Sequence, residues 1–307
     1  MGKIAFVFSG QGAQYPGMGK ELYETSPAAK EILDQAEVLR PGTLRQCFEG
    51  SAEELAVTEN TQPCLFAVDL ACAAAAREKG IMPKMCAGFS LGETAAVAFT
   101  SMLPFEKAFA FVQERASLMQ ACAVAQPGFM AAVLRLDHEQ VSSLCGQFDK
   151  VYPVNFNAPG QVVVSGAAGQ KDALIQAVAS LGGRAMPLKV GGAFHSPLMS
   201  DAAKKLHAWL QASGLNVPDM PLYANRTALP YAADAISLLS GQVDHPVLWE
   251  QTVRNMAADG ADLFVELGPG TVLSGLIRKV LPEASVCHVE NSASLMEAAA
   301  IVEGRNT

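Results

Sequence analysis

The chain has 307 residues, half of them hydrophobic and 17% charged, so it can bury a sizeable core as one large domain or two ordinary ones. Its net charge of −8 argues against a nucleic-acid partner, because a phosphate backbone is held mainly by clustered Lys and Arg. The seven cysteines are odd in number and form no C-x-x-C pair, which argues against a disulfide framework and a structural zinc site.

The first predicted elements are typical of an α/β domain. A buried strand over 4–8 is followed by a turn-rich loop at 9–14, and helical patterns fill most of 17–80. A short strand at 84–87 then leads through a glycine-containing turn into another helix. Pro104 is well placed as a first helical residue and predicts the start of a long helix.

From residue 127 onwards the pattern predicts a small inserted subdomain, 127–192, with the element order β-α-β-β-α-β of the split ferredoxin-like unit. Its predicted segments are 130–136, 138–147, 151–156, 161–165, 170–181 and 184–190. A larger α/β subdomain, formed by 1–126 and 193–307, surrounds this insertion. After the insertion we expect a helix from 197, strands near 222–225 and 262–267, and a closing helix from 272.

Gly88-Phe89-Ser90-Leu91-Gly92 follows a predicted strand and precedes a predicted helix, which is the context of a nucleophile elbow in an α/β-hydrolase-like domain. The two glycines suit a tight turn, and the N-terminal N–H groups of the following helix would stabilise an oxyanion beside the serine. In a chain with 26 glycines the bare pattern also arises by chance. The strand–turn–helix context favours Ser90 as a nucleophile.

A serine hydroxyl needs a neighbouring base. The candidates are His138, His195, His207, His245 and His288. His195 lies in an irregular segment, 191–197, at the predicted junction of the two subdomains, where clefts and catalytic side chains concentrate. By spacing alone, a catalytic base and an ordinary loop histidine stay equally open for this residue.

Three classes of protein are compatible with an elbow serine. A serine esterase or thioesterase uses the same elbow, but its partners follow in the order Ser, Asp or Glu, His, and here no HGGG-type oxyanion segment precedes the elbow. A non-catalytic carrier or scaffold would make Ser90 incidental. An acyltransferase that carries the acyl group as an ester on Ser90 fits the pattern best.

Seven motifs in chain order then identify a resemblance that covers essentially the whole chain. They are Phe8-Ser9-Gly10-Gln11-Gly12, the elbow through Glu93, Gln113-Glu114-Arg115, the segment 157–166 beginning Asn157-Ala158-Pro159-Gly160, Gly192-Ala193-Phe194-His195-Ser196, Gln242 before Pro246-Val247-x-Trp249, and Glu266-Leu267-Gly268-Pro269-Gly270. Together these motifs resemble the malonyl-CoA:acyl carrier protein transacylases of bacterial fatty acid synthesis.

The resemblance implies a ping-pong reaction through a malonyl ester on Ser90, with His195 as the base. The family has no acidic third member; its histidine is oriented by a backbone carbonyl, which corresponds to the region of Gln242 here. The backbone N–H groups of Gln11 and Leu91 match the oxyanion hole of the family.

The resemblance also implies how the substrate is bound. Arg115 matches the arginine that pairs with the malonyl carboxylate, and a guanidinium fork suits such a bidentate contact. Without the family resemblance, Arg115 would be interpreted as a residue on a helix surface that forms an ordinary ion pair with Glu114 or a neighbour. Asn157 matches a position near the entering thioester, although it could equally serve a local turn. Phe194 resembles the family version that selects an unbranched malonyl group.

One position departs from the family pattern: Phe89 stands where the family commonly has histidine. Because the base is assigned to His195, we expect the chemistry to survive, while the contacts of that histidine are lost. Arg115 argues against a related acyl hydrolase of polyketide pathways. A free-standing malonyl transferase of a polyketide synthase stays open.

The expected partners are malonyl-CoA, as a substrate, and acyl carrier protein. We expect no cofactor, no metal, no nucleic-acid partner and no membrane association, and we expect the chain to be a monomer. Because the chain runs from residue 3 directly into a strand pattern and has no apolar stretch of membrane-spanning length, we expect it in the cytoplasm. Basic residues that flank His195 are candidates for docking an acidic carrier protein: Arg184, Lys189, Lys204 and Lys205.

Overall fold

A five-stranded parallel sheet forms the centre of the larger part of the molecule, in the order β7-β2-β1-β8-β9. The structure is a computed structural model that describes residues 2–306. The strands are β1 (Lys3–Phe8), β2 (Met85–Gly88), β3 (Gly128–Leu134), β4 (Val151–Ala158), β5 (Gln161–Ala167), β6 (Arg184–Pro187), β7 (Leu222–Tyr223), β8 (Ala261–Leu267) and β9 (Ser285–Val289).

Helices cover both faces of this sheet. The helices of the whole molecule are α1 (Lys20–Thr25), α2 (Pro27–Leu39), α3 (Thr43–Glu49), α4 (Thr58–Glu78), α5 (Leu91–Phe99), α6 (Phe105–Ala125), α7 (His138–Cys145), α8 (Lys171–Ser180), α9 (Ser200–Ser213), α10 (Ala235–Ser240), α11 (Trp249–Ala258), α12 (Val272–Val280) and α13 (Ser292–Asn306). Among residues 2–306, none of these helices combines the length and apolar character needed to cross a membrane.

Strand β1 shows why the sheet is buried on both faces. Phe6 and Phe8 point to one side, where both rings lie within 5.6 Å of Phe99 from α5. Ala5 and Val7 point to the other side, into the cluster that α11 and α12 cover. A parallel strand with helices on both faces needs such a continuous apolar sequence, and the predicted strand over 4–8 has it.

A second sheet is antiparallel, with the order β4-β5-β3-β6, and α7 and α8 accompany it. All of its strands fall between residues 128 and 187. It is joined to the larger part through β4, where the Phe156 N–H donates to the Val247 carbonyl and the Val247 N–H to the Val154 carbonyl, at 2.9 and 2.8 Å. The α/β class expected from the sequence is confirmed, with a parallel and a separate antiparallel sheet.

Several element boundaries differ from the sequence expectations. Strand β6 ends at Pro187 rather than at residue 190, because the chain bends in a tight turn in which the Val190 N–H donates to the Leu188 carbonyl. The long helix α6 begins at Phe105, one residue after Pro104. The helix expected from residue 197 starts as a single 3₁₀ turn, Pro197–Met199, before α9.

Four elements were not predicted: α10 and α11, which lie between β7 and β8, and β9 and α13, which follow the expected last helix. The short strand β9 has the sequence Ser-Val-Cys-His-Val, and as the sheet edge it lacks a long apolar run. Its pairing with β8 is a long-range contact that local sequence does not reveal.

The sheet brings three loops to one edge. Phe8, at the end of β1, lies opposite Gly88 at the end of β2 and Leu267 at the end of β8. Because parallel strands end at the same edge, the loop after β1, the turn after β2 and the loop after β8 meet there. This carboxyl edge of the sheet carries the candidate site.

Candidate active site

Ser90 occupies a strained turn between β2 and α5, with φ 53° and ψ −103°. Such a conformation is rare for a residue other than glycine and marks functional positions. A Cβ at Gly88 would lie 2.0 Å from the Gly92 carbonyl carbon, and one at Gly92 would lie 2.2 Å from the Phe8 carbonyl oxygen. Both glycines are therefore required for the close approach of backbone to backbone, as the elbow prediction supposed.

Ser90 and His195 lie in direct contact, although 105 positions separate them in sequence. The distance from Ser90 Oγ to His195 Nε2 is 2.7 Å, and His195 Nδ1 lies 2.9 Å from the Gln242 carbonyl oxygen. Because a carbonyl can only accept, Nδ1 carries the proton and Nε2 is the free acceptor for the serine hydroxyl proton. The backbone N–H of His195 donates to the Val243 carbonyl and holds this residue at φ 61°.

The pKa of His195 is lowered to about 4, chiefly by desolvation and then by the charge of Arg115, while the Gln242 carbonyl opposes the shift. The imidazole is therefore neutral at pH 7 and able to accept a proton. A histidine whose partner is a carbonyl rather than a carboxylate does not gain the increase in pKa that an acidic partner would cause.

Arg115 is buried at 1% exposure on α6, behind Ser90. Its guanidinium donates to the side-chain oxygens of Gln62 and Gln242, each at 2.7 Å, and to Ser90 Oγ at 3.3 Å. Burial lowers its pKa to about 10, against the opposing charge of Glu93, so it remains a cation at pH 7. Within residues 2–306 it makes no salt bridge, and the surface pairing with Glu114 that its sequence position allowed is absent.

Two buried residues that the sequence analysis did not assign hold the elbow in place. The Ser90 N–H donates to Asn225 Oδ1 at 2.7 Å, and Asn225 Nδ2 donates to the Gly88 carbonyl at 2.6 Å. Glu93 in turn accepts the Asn225 N–H at 3.0 Å. Glu93 appeared only as the last letter of a motif and Asn225 only as the end of a predicted strand, so their joint position could not be inferred from spacing.

Gln242 connects all of these groups. Its Nε2 donates to the Ser90 carbonyl and to Glu93 Oε2, both at 2.6 Å, and its Oε1 accepts from Arg115. Its backbone carbonyl accepts from His195. The family resemblance pointed to the backbone carbonyl near this residue. The structure adds that its side chain contacts Ser90, Glu93 and Arg115.

A cavity of about 240 Å³ opens in front of Ser90 and His195. Its walls are mostly apolar and include Met119 and Phe194, while Gln11, Asn155 and Asn157 supply polar groups. Arg115 and Gln242 lie behind Ser90 rather than on the cavity wall. Among the described residues, the side-chain oxygen of Asn157 has no hydrogen-bond partner. An apolar cavity with few convergent polar groups is the usual form of a ligand site.

The backbone N–H groups of Gln11 and Leu91 are the expected oxyanion donors. Leu91 is the first residue of α5, and Gln11 follows β1 at the same edge of the sheet. Within the part of the chain that the structure describes, neither N–H donates to an acceptor. They are therefore available to an oxygen atom that develops charge beside Ser90.

Phe89 lines the same cavity and packs edge-on against Trp249, with ring centroids 5.4 Å apart. Around the cavity mouth, a groove of about 490 Å³ continues past Leu188 and Val190 to Lys189 and Glu53. A larger cavity of about 690 Å³ lies between α2 and the start of α6 and contains none of the predicted site residues. The predicted pair Ser90 and His195 therefore lines the smaller cavity and not the larger one.

Among residues 2–306 there is no group of three or more His, Cys, Asp or Glu side chains that could hold a metal ion, and all seven cysteines are unpaired. The polar groups around Ser90 are amides, one guanidinium, one carboxyl and one imidazole. This set suits the transfer of a proton and an acyl group.

A strained elbow serine, a neutral histidine and two free backbone donors, one of them at a helix N-terminus, define the class of enzymes that use a serine nucleophile. Residues 5–302 match the acyl transferase domain family, and the chain belongs to this family. The chain is 41% identical to the malonyl CoA-acyl carrier protein transacylase of Bacillus subtilis (strain 168), with 91% of each chain covered.

Solved structures show the same likeness. The malonyl CoA-acyl carrier protein transacylase of Clostridium perfringens superposes with a TM-score of 0.95 at 32% identity, covering 99% of this chain and 98% of that one. A malonyl-transacylase solved in complex with its type II PKS acyl-carrier protein gives a TM-score of 0.93 at 33% identity, covering 97% and 99%. The resemblance stated from the motifs is therefore confirmed.

Gly92→Ala tests the elbow geometry. We expect a loss of about 1–3 kcal/mol in the free energy of unfolding, because the new methyl group would meet the carbonyls of Phe8 and Ser9. Gly275→Ala in α12 is the matched control, since its Cβ meets nothing within 4 Å, and it should stabilise by about 0.4–1 kcal/mol. Urea unfolding measures both; a neutral Gly92→Ala would contradict the close approach of α5 to β1.

The protonation state of His195 can be followed by labelling Ser90 with a neutral fluorophosphonate, which brings no charge into the site. Since the base acts only when unprotonated, and its pKa lies near 4, the rate constant should stay level from about pH 8 to about pH 5 and fall below that. Intact mass spectrometry gives the rate. His207→Gln should label normally and His195→Gln should not; a midpoint near pH 6.5 would contradict the burial argument.

Proposed function

We propose that this chain is an [acyl-carrier-protein] S-malonyltransferase, which moves malonyl from malonyl-CoA to the phosphopantetheine thiol of acyl carrier protein in fatty acid biosynthesis. The observation that carries the proposal is Arg115, a buried cation without a carboxylate partner placed 3.3 Å from the nucleophile. A substrate that ends in a carboxylate would supply the missing partner. The names of the relatives at 34–41% identity support the same substrate.

In the first half-reaction His195 Nε2 takes the proton of Ser90 Oγ, and Oγ attacks the thioester carbonyl carbon of malonyl-CoA. The oxyanion that forms accepts from the backbone N–H groups of Gln11 and Leu91. Collapse of this intermediate breaks the carbon–sulfur bond, leaves malonyl as an ester on Ser90, and passes the proton from His195 to the CoA thiolate.

The second half-reaction runs the same steps in reverse with a different thiol. His195 takes the proton of the phosphopantetheine thiol, the sulfur attacks the ester carbonyl, and Ser90 leaves with the proton returned from His195. The Gln242 carbonyl holds the imidazole in the required tautomer throughout, through the 2.9 Å bond to Nδ1. No acidic residue is needed for this cycle.

We propose that Arg115 binds the malonyl carboxylate as a bidentate fork. Two of its hydrogen bonds, to the side-chain oxygens of Gln62 and Gln242, would be exchanged for carboxylate oxygens. Phe194 on the cavity wall then borders the α-carbon and favours an unbranched acyl group. Asn157, with a buried oxygen that lacks a donor, is the proposed contact of the arm that carries the thioester.

We propose the finer description of the fold as well. The sheet order β4-β5-β3-β6 is that of a ferredoxin-like unit, so residues 127–192 are taken as the small subdomain. Residues 1–126 and 193–307 then form the α/β-hydrolase-like subdomain, whose elbow serine at the carboxyl edge of a parallel sheet supports that name. The cavity lies where the two meet.

Acyl carrier protein is the proposed second substrate and partner, and we propose that the chain acts as a cytoplasmic monomer. The groove that continues from the cavity is lined by Lys189 and Glu53, and the cation at this point supports Lys189 as a contact of an acidic carrier. Lys204 is less available, because it lies 3.6 Å from Asp201. A role with a polyketide synthase carrier stays the alternative, and the 33% identical transacylase solved with such a carrier supports it.

The direct test is the mass of the acyl-enzyme. Incubation with malonyl-CoA should add one malonyl group to the protein, Ser90→Ala should abolish the adduct, and His195→Ala should slow its formation by about 10²–10⁴-fold. Added holo acyl carrier protein should collect the group. If the acyl-enzyme is hydrolysed at the same rate without a carrier as the group is lost with one, the chain is an esterase or thioesterase. An adduct that persists in Ser90→Ala would mean that another residue is the nucleophile.

The role of Arg115 is tested by the ratio of specificity constants for malonyl-CoA and acetyl-CoA. Acetyl leaves the buried charge unpaired, which is costly, so Arg115→Ala should lose malonyl transfer and keep or gain acetyl transfer. Arg254→Ala, which removes an exposed partner of Glu250 on α11, is the control and should leave the ratio unchanged. A constant ratio in Arg115→Ala would remove this residue from substrate selection.

A further inference from the structure

Glu93 is a buried acid that the reaction steps above do not use. Its side chain lies in the first turn of α5 at 1% exposure. Oε1 accepts from the Tyr231 hydroxyl at 2.6 Å and the Asn225 N–H at 3.0 Å, and Oε2 accepts from Gln242 Nε2 at 2.6 Å. All three donors are neutral, so this carboxyl has no cation in direct contact.

The cation that acts on Glu93 is Arg115, and one amide separates the two. Gln242 Oε1 accepts from Arg115 and Gln242 Nε2 donates to Glu93, in a continuous hydrogen-bonded chain. Burial raises the pKa of Glu93 to about 7, and the charge of Arg115 works against that shift. The substrate-free site thus holds one buried positive charge and one buried acid that is close to its titration point at neutral pH.

Binding of a dicarboxylic acyl group changes this balance, because a second carboxylate then pairs with Arg115. This step rests on the proposed function. We propose that Glu93 takes up a proton when such an acyl group binds beside Arg115, because the acyl carboxylate then cancels the positive charge that favours the ionised form of Glu93. Glu93 is in this sense a positioning residue that responds to the charge of Arg115, and it never touches the reacting atoms.

The hydrogen bonds around Glu93 can accommodate the proton. A proton on Oε1 can be donated to the Tyr231 oxygen, because a hydroxyl both donates and accepts, while Asn225 and Gln242 keep their acceptors. The hydroxyl hydrogen of Tyr231, a half-buried residue, then turns away from Glu93. The charged or titratable groups that act on Glu93 are Arg115 from α6 and Tyr231 from the segment before α10. His195 faces Arg115 instead, and with a pKa of about 4 it stays neutral where Glu93 titrates.

The sign of the pH dependence follows from linkage. Pairing of Arg115 with the substrate carboxylate cancels the charge that lowers the pKa of Glu93, so this pKa rises in the complex. Below the pKa of the free protein Glu93 already holds its proton and affinity is greatest; affinity then falls as pH rises through the pKa of the complex. A rise of one pKa unit corresponds to about a tenfold loss of affinity between about pH 6 and about pH 9.

Calorimetry of Ser90→Ala measures this uptake without acyl transfer. Malonyl-CoA and acetyl-CoA are titrated in buffers of different ionisation enthalpy at about pH 7.5, and the slope of the observed enthalpy counts protons. Malonyl-CoA should take up about half a proton more than acetyl-CoA, for a rise of one unit from a pKa of about 7. The phosphates of CoA are common to both ligands and cancel in the difference.

Two further variants in the Ser90→Ala background decide which group takes the proton. Glu93→Gln should remove the difference between the ligands at every pH. Tyr231→Phe removes a donor to the carboxylate, so Glu93 should already be protonated at about pH 7.5 and the uptake should move to higher pH. Equal uptake of protons with the two ligands, or uptake that survives Glu93→Gln, would overturn the proposal.

The outcome is separable from that of the proposed function. If the wild-type protein forms the malonyl adduct on Ser90 but shows no difference in proton uptake, only the role of Glu93 is wrong. If malonyl-CoA leaves no adduct at any pH, the proposed function itself fails. Should Glu93→Gln not fold, the comparison of ligands and the displaced pH range in Tyr231→Phe still decide the question.

Discussion

Gln242 is the residue on which the arrangement of the site depends. Its backbone carbonyl accepts from His195, and its side chain contacts Ser90, Glu93 and Arg115. An amide can do this because it carries donors and an acceptor in one fixed plane. At 2% exposure these bonds form in a low-dielectric interior, where they are stronger than in water and where an unpaired group would be costly. Ser90, His195 and Arg115 are thus all in contact with a single residue, through its side chain or its own carbonyl.

The strain at Ser90 is held by the same interior. A residue at φ 53° and ψ −103° persists only when its surroundings over-determine it. Here the Ser90 N–H is bonded to Asn225 and its carbonyl to Gln242, which come from segments more than 130 positions away. The glycines at 88 and 92 let β1, β2 and α5 approach closely enough for these bonds to form. Elbow and network are therefore one structural unit.

Charge placement explains why a carbonyl, rather than a carboxylate, orients His195. A carboxylate beside Nδ1 would raise the pKa of the imidazole and would stand close to Arg115, whose charge acts on His195. The acid of the site instead lies one amide away, at Glu93, on the far side of Gln242. The Arg115 guanidinium keeps its positive charge. No carboxylate lines the cavity in front of Ser90, so none competes with a substrate carboxylate. This separation suits a substrate that brings its own negative charge.

Much of this organisation could be predicted from sequence, because it is local. The strand over 4–8 is a continuous apolar run, the elbow is a five-residue pattern between a strand and a helix, and the β-α-β-β-α-β order follows from alternating periodicities. Strand β9 and helices α10, α11 and α13 were missed; β9 is a sheet edge without a long apolar run. The motifs in order were sufficient to place the chain in its family, which the match over residues 5–302 bears out.

Long-range packing decided what the sequence could not. Arg115 lies on α6, which α4, α5 and α9 cover on several sides. Because such a helix has no simple amphipathic pattern, its sequence did not show whether Arg115 faces water or the interior. His195 was one of five histidines until the fold brought it 2.7 Å from Ser90. The partnership of Glu93, Asn225 and Gln242 joins three distant segments through hydrogen bonds alone. The sequence by itself determined most of the elements and the family. The hydrogen-bonded contacts of Glu93, His195 and Arg115 arose only in the folded chain, because burial makes most polar groups in a protein interior find a partner.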